Sequence, residues 1–484
     1  MSIALDRRRF LIRASQALLA AGGASQSLAG CSSGGDPADG PNVLFIMIDD
    51  LNDWIGCLGG QAKTPNIDAL AARGTLFTRA YTNSPTCGPA RASLLTGLRP
   101  STTGIYWNWQ RWSDVDCVTL PEAFQRANYQ VRGAGKIFHA MQKTLSERIV
   151  LKFGADVPYA LTGQLLRNLV GPWDDYFLPS SPGTGRPATI PARAPAGLQS
   201  NLDWLPLDIS EEETPDFRVA DWTRRQLSQG FESAFFLGCG FWLPHAPWYL
   251  PRKYFDLYDE ASVALPEVRE FDLDDVPELA RSWVQQENHE IISSSGKWKE
   301  AVVAYLASIS FIDACIGRVM AGLDESPHAE DTIVVLVSDH GLMLGEKRHW
   351  GKTVLWEEAT RVPMIVAAPG VGQPGARCSQ PVSLVDIYPT LVQLCGLPER
   401  PELEGSSLVP LLENPSQKWS RPALTTASAG NHSLRSERWR YSRYEDGTEE
   451  LYDHERDDSE WINLASDPAL ESVKVELARW LPDS

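Results

Sequence analysis

Runs of consecutive apolar residues recur along the chain, and the segments between them carry apolar residues at the spacing of a helix. The apolar runs cover 42–48, 233–240, 332–338 and 362–367. The helical patterns cover about 64–74, 90–98, 215–230, 297–322 and 383–396. A strand that is apolar on both faces is typical of a parallel sheet with helices on each side. The alternation therefore predicts a layered α/β domain.

The chain departs from this alternation in other regions. Residues 144–214 are rich in proline, glycine and short polar stretches, which predicts an inserted loop region over the active face, where specificity is commonly determined. The acidic stretch 256–290 is interpreted as a solvated surface, with the rim of a pocket as the alternative. After about residue 415, the pattern of 439–444, the turn at 446–447 and 450–453 predicts a hairpin. We therefore expect a main domain over 42–415 and a small C-terminal subdomain over 416–484.

The charge balance narrows the classes of partner. The 484 residues include 44 Lys and Arg against 62 Asp and Glu, a net charge of −18. Nucleic-acid binding needs a basic footprint, so no nucleic-acid partner is expected. An anionic substrate would have to meet positive charge that is concentrated locally.

The first residues have the layout of an export signal. Arg7, Arg8 and Arg9 precede an apolar stretch that runs to Ala21, and small residues lead to Cys31. The arginines resemble a twin-arginine signal, and Leu28-Ala29-Gly30-Cys31 resembles a bacterial lipobox. We expect an export signal over 1–30, a tether over 31–41 and a lipid on Cys31 that anchors the protein in the bacterial periplasm or at the cell surface. The alternative is a plain N-terminal amphipathic helix.

The sequence indicates less about the structural roles of four other cysteines. Cys239 and Cys315 lie in apolar surroundings and are expected to pack as small apolar side chains. Cys378 and Cys395 are a candidate disulfide pair, although pairing cannot be deduced from sequence alone.

Carboxylates follow two of the predicted strands at the point where each strand ends. Asp49 and Asp50 follow 42–48, and Asp339-His340 follows 332–338. Neighbouring residues within a strand point to opposite faces, so Asp49 and Asp50 can serve one site only because the strand ends there. The carboxyl edge of an open α/β sheet is where ligands bind. Converging carboxylates repel one another unless a cation joins them, and an oxygen-rich shell suits Ca²⁺. The alternative is a pair of strand-end or helix-capping carboxylates.

Cys87 stands where a helix is predicted to begin. Pro89 suits the first turn of a helix, and Arg91, four residues after Cys87, projects from the same face. Free N–H groups and the positive end of the helix dipole converge at such a position. This arrangement favours an oxyanion, whereas the alternative is a structural cysteine at a helix start.

Cys87-x-Pro89-x-Arg91, followed by Leu95-Thr96-Gly97, resembles the motif of the type I sulfatases. In that family the cysteine is oxidised to Cα-formylglycine by a formylglycine-generating enzyme. The usual Ser or Ala after the cysteine is Gly88 here, and the usual Ser before the arginine is Ala90. Further matches lie in Gly135-Lys136-Ile137-Phe138-His139, in the segment around His245 and in Gly345–Lys352. Over about 42–465, the sequence as a whole is most similar to those of the iduronate-2-sulfatases and their bacterial relatives.

The resemblance implies a fold and a site. The fold is an α/β, alkaline-phosphatase-like sandwich with a large, mostly parallel central sheet flanked by helices, plus a small C-terminal subdomain with an antiparallel sheet. The implied Ca²⁺ ligands are Asp49, Asp50, Asp339, His340 and the modified Cys87. Asparagine often stands where this chain has His340, and histidine is less natural than oxygen for calcium. The implied pocket residues are Cys87, Arg91, Lys136, His139, His245 and Lys352, whereas His349 and Glu346 match less distinctively.

A mechanism follows from the needs of a sulfate ester. Ca²⁺, Arg91, Lys136 and Lys352 would spread the negative charge of the nonbridging oxygens. The hydrated formylglycine would attack sulfur, with His245 as the acid that protonates the leaving alcohol and Lys352 in support. His139 would be the base that regenerates the aldehyde. The expected substrate is a sulfated sugar or polysaccharide, and Trp107, Trp109 and Trp112 would either stack on a sugar face or pack in the core.

Two other functions stay open at this point. A phosphonate or phosphate monoester hydrolase of the same superfamily would use the same nucleophile on another tetrahedral anion. A catalytically inactive carbohydrate-binding lipoprotein would need no acid and base, so the histidines and lysines argue against it.

Overall fold

The computed structural model describes residues 40–139, 170–179, 192–198 and 201–482. The predicted export signal over 1–30, Cys31 and nearly all of the tether lie outside these ranges, as does much of the segment 144–214. All of the described residues belong to one compact unit.

The strands of the described residues are, in chain order, β1 (Asn42–Asp49), β2 (Thr75–Tyr81), β3 (Gln130–Gly135), β4 (Asp175–Phe177), β5 (Trp204–Leu207), β6 (Phe235–Pro244), β7 (Trp248–Pro251), β8 (Thr332–Ser338), β9 (Met343–Leu344), β10 (Trp350–Gly351), β11 (Arg361–Ala367), β12 (Ala376–Cys378), β13 (Val382–Ser383), β14 (Ala423–Ser428), β15 (Asn431–Arg435), β16 (Trp439–Arg443) and β17 (Glu449–Asp453). The α-helices are α1 (Pro65–Arg73), α2 (Cys87–Thr96), α3 (Pro100–Thr103), α4 (Leu120–Arg126), α5 (Pro215–Gln229), α6 (Arg252–Phe255), α7 (Glu278–Ser282), α8 (Gln286–Ser294), α9 (Trp298–Asp324), α10 (Glu357–Thr360), α11 (Ile387–Leu394), α12 (Val409–Glu413) and α13 (Glu471–Ala478).

Among the described residues, the central sheet has nine strands, in the order β12-β2-β11-β8-β1-β6-β3-β4, with β13 also paired to β2. β1 lies between β8 and β6 and is parallel to both. The apolar runs predicted at 42–48, 233–240 and 332–338 are confirmed as these three strands. The expected α/β, mostly parallel, alkaline-phosphatase-like architecture is thereby confirmed.

β1 shows why the runs are apolar on both faces. Leu44, Ile46 and Ile48 enter the core on one side of the sheet. Val43, Phe45 and Met47 enter a second core on the other side. Because alternate residues of a strand point to opposite faces, a strand between two helical layers has no position for an exposed polar residue.

One apolar run differs from the expected parallel arrangement. β11, predicted at 362–367, is antiparallel to both of its neighbours, β2 and β8. Burial on both faces requires apolar side chains whichever way a strand runs, so composition alone does not determine its direction. Four other strands of this sheet, β2, β3, β4 and β12, carry polar or glycine positions and were not expected from the hydrophobic pattern.

The predicted helices are found at α1, α2, α5, α9 and α11. In the described part of the chain the longest helix is α9, with 27 residues, and it is apolar enough in composition to cross a membrane. Its most apolar window is 83% buried inside the fold, against α5, α1 and β6. Packing on all sides in a protein core explains that composition.

The described part of segment 144–214 is more closely integrated into the fold than its composition indicates. Within its described part, β4 is an edge strand of the central sheet, parallel to β3. β5 pairs in parallel with β7 in a small separate sheet. The expectation of a loop insertion is therefore wrong for these residues, where short strands continue the fold.

The C-terminal region contains the predicted hairpin as β16 and β17. These strands belong to a four-stranded antiparallel sheet in the order β14-β15-β16-β17. One face packs Leu434, Tyr441 and Leu451 against Leu477 of α13. The other face presents Arg440, which is fully buried and pairs with Glu357 of α10 and with Glu460. The small sheet is thus joined to the main domain by buried charge.

The candidate disulfide is not formed. Cys378 and Cys395 are both buried with free thiols. Cys239 and Cys315 are buried within the apolar core, as expected.

Candidate active site

Two adjacent carboxylates reach one site because the backbone turns at the end of β1. Asp49 is the last residue of the strand, and Asp50 takes a positive φ of 62°, which leaves the strand conformation. Tyr305 of α9 fixes this turn: its hydroxyl donates to the carbonyl of Asp50 at 2.8 Å and accepts from the backbone N–H of Asn52 at 2.9 Å. Asp49 and Asp50 are both buried. A non-glycine residue at positive φ is uncommon and is held by surrounding contacts, here those of Tyr305.

Cys87 is the first residue of α2, and its side chain is buried. The preceding Thr86 does not cap the helix with its side chain. Instead, the Oδ1 atom of Asn108 accepts a 2.7 Å hydrogen bond from the N–H of Gly88. The Sγ atom of Cys87 lies 3.2 Å from both Nζ of Lys352 and Nε2 of His340.

The electrostatic surroundings of this sulfur favour an anion. Burial and the Asp49 carboxylate act to raise the pKa of the Cys87 thiol. Lys136, Lys352 and His340 outweigh them and hold that pKa well below its ordinary value. A group at this position is therefore stabilised in its negative form.

Each carboxylate of the site is paired with a cation. The ammonium of Lys136 donates to Asp49, and that of Lys352 donates to Asp50. Burial alone would raise the pKa of Asp49, but Lys136, His245 and Arg91 hold it well below its usual range. The pairing satisfies the rule that buried charges are compensated.

Arg91 is directed into the protein and not toward open space. Its Nε atom donates to Oδ2 of Asp339 at 2.7 Å, and its Nη1 atom donates to the carbonyl oxygens of Lys136 and Ile137. Its Nη2 atom lies 3.6 Å from Oδ1 of Asp49. The guanidinium thus ties α2 to the ends of β8 and β3.

The structure brings a set of potential metal ligands together. One ligand atom from each of Asp49, Asp50, Cys87 and His340 lies within 4.8 Å of the others. Oδ1 of Asp49 is buried and has no hydrogen-bond partner among the described residues, so its lone pairs are available. Asp339, the remaining expected ligand, is beside this group: its Oδ1 atom accepts from the N–H of Asp50 at 3.2 Å and lies 3.6 Å from Nε2 of His340.

Two further histidines flank the site. His139 is half-buried, and burial together with Lys136 lowers its pKa, which keeps the imidazole neutral. Its Nδ1 atom has no hydrogen-bond partner among the described residues. His245 follows β6, where the register places Pro244 opposite Asp49. The Nδ1 atom of His245 lies 2.6 Å from the carbonyl oxygen of Ala246.

The segment before His245 is held by a buried carboxylate that sequence reasoning did not identify. Asp216, in the first turn of α5, accepts hydrogen bonds from the N–H groups of Trp242 at 2.8 Å and Leu243 at 3.2 Å. Burial raises the pKa of Asp216 to about 7. In the sequence this residue has the appearance of an ordinary acidic residue at a helix N-terminus, so only the fold reveals its partners.

Lys352 is presented by a tight turn. Thr353 has a φ of 72° and donates from its N–H to the carbonyl of Pro85 at 3.0 Å, next to the start of α2. His349 is buried, with Nε2 2.9 Å from the carbonyl oxygen of Lys352, and burial lowers its pKa to about 4. Glu346 accepts from the N–H of Leu344 at 2.6 Å. His349 and Glu346 therefore support the turn.

Comparison with known proteins agrees with this geometry. The sequence profile of the family described as "Sulfatase" matches residues 41–397. A profile described as "N-sulphoglucosamine sulphohydrolase, C-terminal" matches residues 345–483.

Individual proteins match over most of the chain. A sulfatase of Formosa agariphila is 37% identical over 458 residues, which cover 92% of this chain and 87% of that protein. The iduronate 2-sulfatase of Homo sapiens is 31% identical, with 74% of this chain and 70% of the human protein covered.

Solved structures share the fold at lower sequence identity. The phosphonate monoester hydrolase of Agrobacterium radiobacter superposes with a TM-score of 0.72 at 23% identity, covering 91% of this chain and 94% of that one. A structure described as a 2-O GAG sulfatase superposes with a TM-score of 0.67 at 22% identity, covering 90% of each chain.

Proposed function

This chain belongs to the sulfatase family of sulfuric ester hydrolases, and we propose that it removes sulfate from a sulfated sugar or glycan with a formylglycine at position 87 and a bound Ca²⁺. The observation that carries the proposal is the position of Cys87. Its side chain is buried at the start of α2, within 3.2 Å of an ammonium and an imidazole and beside paired carboxylates. A structural cysteine needs none of these charges.

The residues present fit a hard cation. Asp49, Asp50 and His340 would hold Ca²⁺, with Asp339 next to them, and the unpartnered Oδ1 of Asp49 is an available oxygen ligand. When bound, the cation would withdraw electron density from the sulfate oxygens and from the nucleophile. The Sγ atom of Cys87 stands in this structure where the modified side chain would project.

Formylglycine, once hydrated, would supply the oxygen that attacks sulfur. The lysines provide the positive charge that the sulfate oxygens require: Lys136 and Lys352 both lower the pKa at position 87, so both act on an anion there. Arg91 acts differently from a sulfate ligand. Its bonds to Asp339 and to the backbone at 136–137 make it a positioning residue that aligns α2 with two strand ends.

The two flanking histidines are assigned the proton transfers. A sugar alcohol leaves poorly unless it is protonated, and His245, held at the end of β6 by Asp216, is the proposed acid, supported by Lys352. His139 is the proposed base that takes the proton needed to regenerate the aldehyde. A base must be neutral before it acts, and the lowered pKa of His139 supports this role.

The substrate class and the location are part of the same proposal. The human relative is named for a sulfated uronic acid, and a structural neighbour is described as a GAG sulfatase, which supports a sulfated sugar. The N-terminal pattern supports twin-arginine export and lipid attachment at Cys31 in the periplasm or at the cell surface. Maturation would require a formylglycine-generating enzyme as a transient partner.

A direct test measures the turnover of a sulfate ester by the wild type and by a variant that lacks the Cys87 thiol. The wild-type protein should release para-nitrophenol from para-nitrophenyl sulfate, and Cys87→Ser should not. Cys117→Ser changes a half-buried cysteine elsewhere in the chain and is the matched control. Rapid release by the Cys87→Ser protein would contradict the proposal.

Because the phosphonate monoester hydrolase shares this fold, the hydrolysis of phosphate or phosphonate esters is the competing function, and the same experiment tests it. The same nucleophile and cations can act on another tetrahedral anion. Faster turnover of para-nitrophenyl phosphate or of a phosphonate monoester than of the sulfate would favour that alternative.

A further inference from the structure

Two tryptophans project from a loop that touches the start of α2. The rings of Trp107 and Trp109 are stacked, with centroids 5.2 Å apart and planes 4° from parallel. Their exposed fractions are 37% and 62%. Large aromatic side chains that remain exposed side by side mark a binding surface more often than isolated exposed residues do.

The loop is built rigidly. Oε1 of Gln110 accepts from the N–H groups of Tyr106 at 2.7 Å and Trp107 at 2.9 Å, and its Nε2 donates to the carbonyl of Gly104 at 2.7 Å. One side chain thus closes the turn that carries both tryptophans. The rings need little reordering on binding, which reduces the entropic cost.

The loop is attached to the site at two points. Asn108, between the two tryptophans, accepts the hydrogen bond from Gly88, which adjoins Cys87. Farther along, the ring of Trp112 packs on that of Phe138 at 4.3 Å, and Phe138 adjoins His139. Trp112 therefore anchors the loop, whereas Trp107 and Trp109 face outward.

Gly88 makes the first attachment possible. A Cβ atom at this position would lie 2.8 Å from Oδ1 and 3.0 Å from Cα of Asn108, closer than ordinary van der Waals contact. A Ser or Ala there would push the loop away. The glycine, where the motif usually has Ser or Ala, is thus explained by the close approach of the tryptophan loop.

We propose that Trp107 and Trp109 form a platform on which the sugar ring next to the sulfate stacks. This inference rests on the proposed function, because the ring would extend from a sulfate held at Cys87. Because the two rings are stacked on one another, the pyranose would lie on the free outer face of Trp109, the more exposed ring at 62%, with Trp107 supporting it from behind. The flat face of an indole ring matches the apolar C–H face of a pyranose. A quaternary ammonium group is instead recognised by aromatic rings that surround it, and two rings stacked on one another cannot do so.

The test separates the platform from the chemistry. The wild-type enzyme is assayed with para-nitrophenyl sulfate, with choline sulfate and with sulfated glucosamine, galactosamine and uronic acid, and the best sugar serves as the probe. Trp109→Ala should raise KM for this sugar about 5- to 10-fold. Its kcat should stay within about twofold, because stacking stabilises the bound substrate and the transition state alike.

Two variants serve as controls. Trp109→Phe retains an aromatic face and should restore most of the affinity. Trp480→Ala removes a tryptophan that is 42% exposed in the C-terminal subdomain and should leave KM unchanged. A second measurement, titration of the Cys87→Ser protein with the sugar, should quench tryptophan fluorescence, and Trp109→Phe in that background should reduce the quenching.

Several results would overturn the platform. An unchanged KM of Trp109→Ala for the sugar is one. Hydrolysis of para-nitrophenyl or choline sulfate by the wild type without hydrolysis of any sugar sulfate is another, and it would leave the sulfatase chemistry intact. Failure of the wild type on every sulfate ester would instead reject the proposed function as well.

Discussion

Nε of Arg91 donates a 2.7 Å hydrogen bond to Oδ2 of Asp339, and both side chains are fully shielded from solvent. The bond joins the helix that begins with Cys87 to the end of β8. Burial raises the pKa of Asp339 to about 7 even though Arg91 opposes the shift. The position of the nucleophile relative to the strand-end carboxylates thus depends on this pair.

Loss of the Arg91–Asp339 bond should disturb the alignment of α2 with β8 more than it disturbs the balance of charge in the site. Arg91→Lys retains the positive charge but not the fork that reaches Asp339 and two carbonyl groups together. We expect a fall in kcat of at least about 100-fold, because a small displacement of a reacting group has an effect of that size. Steady-state kinetics with para-nitrophenyl sulfate would measure it. Activity equal to wild type in Arg91→Lys would show that charge alone matters at this position.

Loss of one strand-end carboxylate should remove metal and activity together. Asp50→Asn takes away a carboxylate of the ligand group and the partner of Lys352. Metal content measured by atomic emission should fall in parallel with turnover of sulfate esters. Asp256→Asn, at an exposed position, is the control and should alter neither. Full activity of the wild type after thorough chelation would contradict the metal assignment.

The two histidines should respond differently to the leaving group. A phenolate departs with little help, whereas a sugar alcohol needs a proton. His245→Ala should therefore slow sugar sulfates by about 10²- to 10⁴-fold and para-nitrophenyl sulfate far less. His139→Ala should slow both substrates to a similar final rate and show a burst of phenol, visible by stopped-flow absorbance. Equal losses on both substrates for His245→Ala, without a burst for His139→Ala, would mean that the acid and the base are assigned wrongly.

Acid should destabilise the C-terminal sheet through His432. Its Nδ1 atom lies 2.9 Å from Oγ1 of Thr426, and burial lowers the pKa of His432 from 6.5 to about 4. Between these pH values the unfolded chain binds a proton that the folded protein does not, so the free energy of unfolding falls as the pH falls through this window. The contribution is at most about 1.4 kcal/mol per pH unit. Urea unfolding at pH values across the window should show a shallower loss for His432→Gln, and equal slopes would disprove the assignment.

The junction between the small sheet and the main domain should be sensitive to Arg440. Its guanidinium binds Glu357, Glu460 and the carbonyl of Leu355, with no exposure to solvent. Arg440→Met would remove a cation shared by two buried carboxylates, leaving Glu357 with Arg435 and Glu460 with His454, and should lower the free energy of unfolding by about 3–5 kcal/mol. Arg443→Met, on the same strand but outside this network, should lower it by less than about 1 kcal/mol. Similar thermal denaturation of the two variants would be evidence against the network.

The success of sequence reasoning depended on whether contacts are local. β1, β6 and β8 are recognisable because a strand buried on both faces must be apolar throughout, and the Cys87 motif lies within one helical turn. The direction of β11 and the short strand β4 depend on pairing partners that local composition does not encode. The roles of Tyr305, Asn108 and Asp216 arise from hydrogen bonds across the fold, and each residue is unremarkable in its own segment. The sequence left open whether the three tryptophans stack on a sugar or pack in the core, because their exposure depends on the fold. In the structure Trp112 packs inward and the other two do not.

The modification of Cys87 is the central claim, and the mass of the peptide that contains it tests the claim most directly. The protein is to be produced together with a formylglycine-generating enzyme and digested, and the peptide spanning residues 87–91 is then analysed by tandem mass spectrometry. The account predicts a residue at position 87 that has lost its sulfur and gained an aldehyde, in a fraction that rises in step with sulfate ester turnover. Full sulfatase activity in protein whose Cys87 is entirely an unmodified thiol would contradict the account.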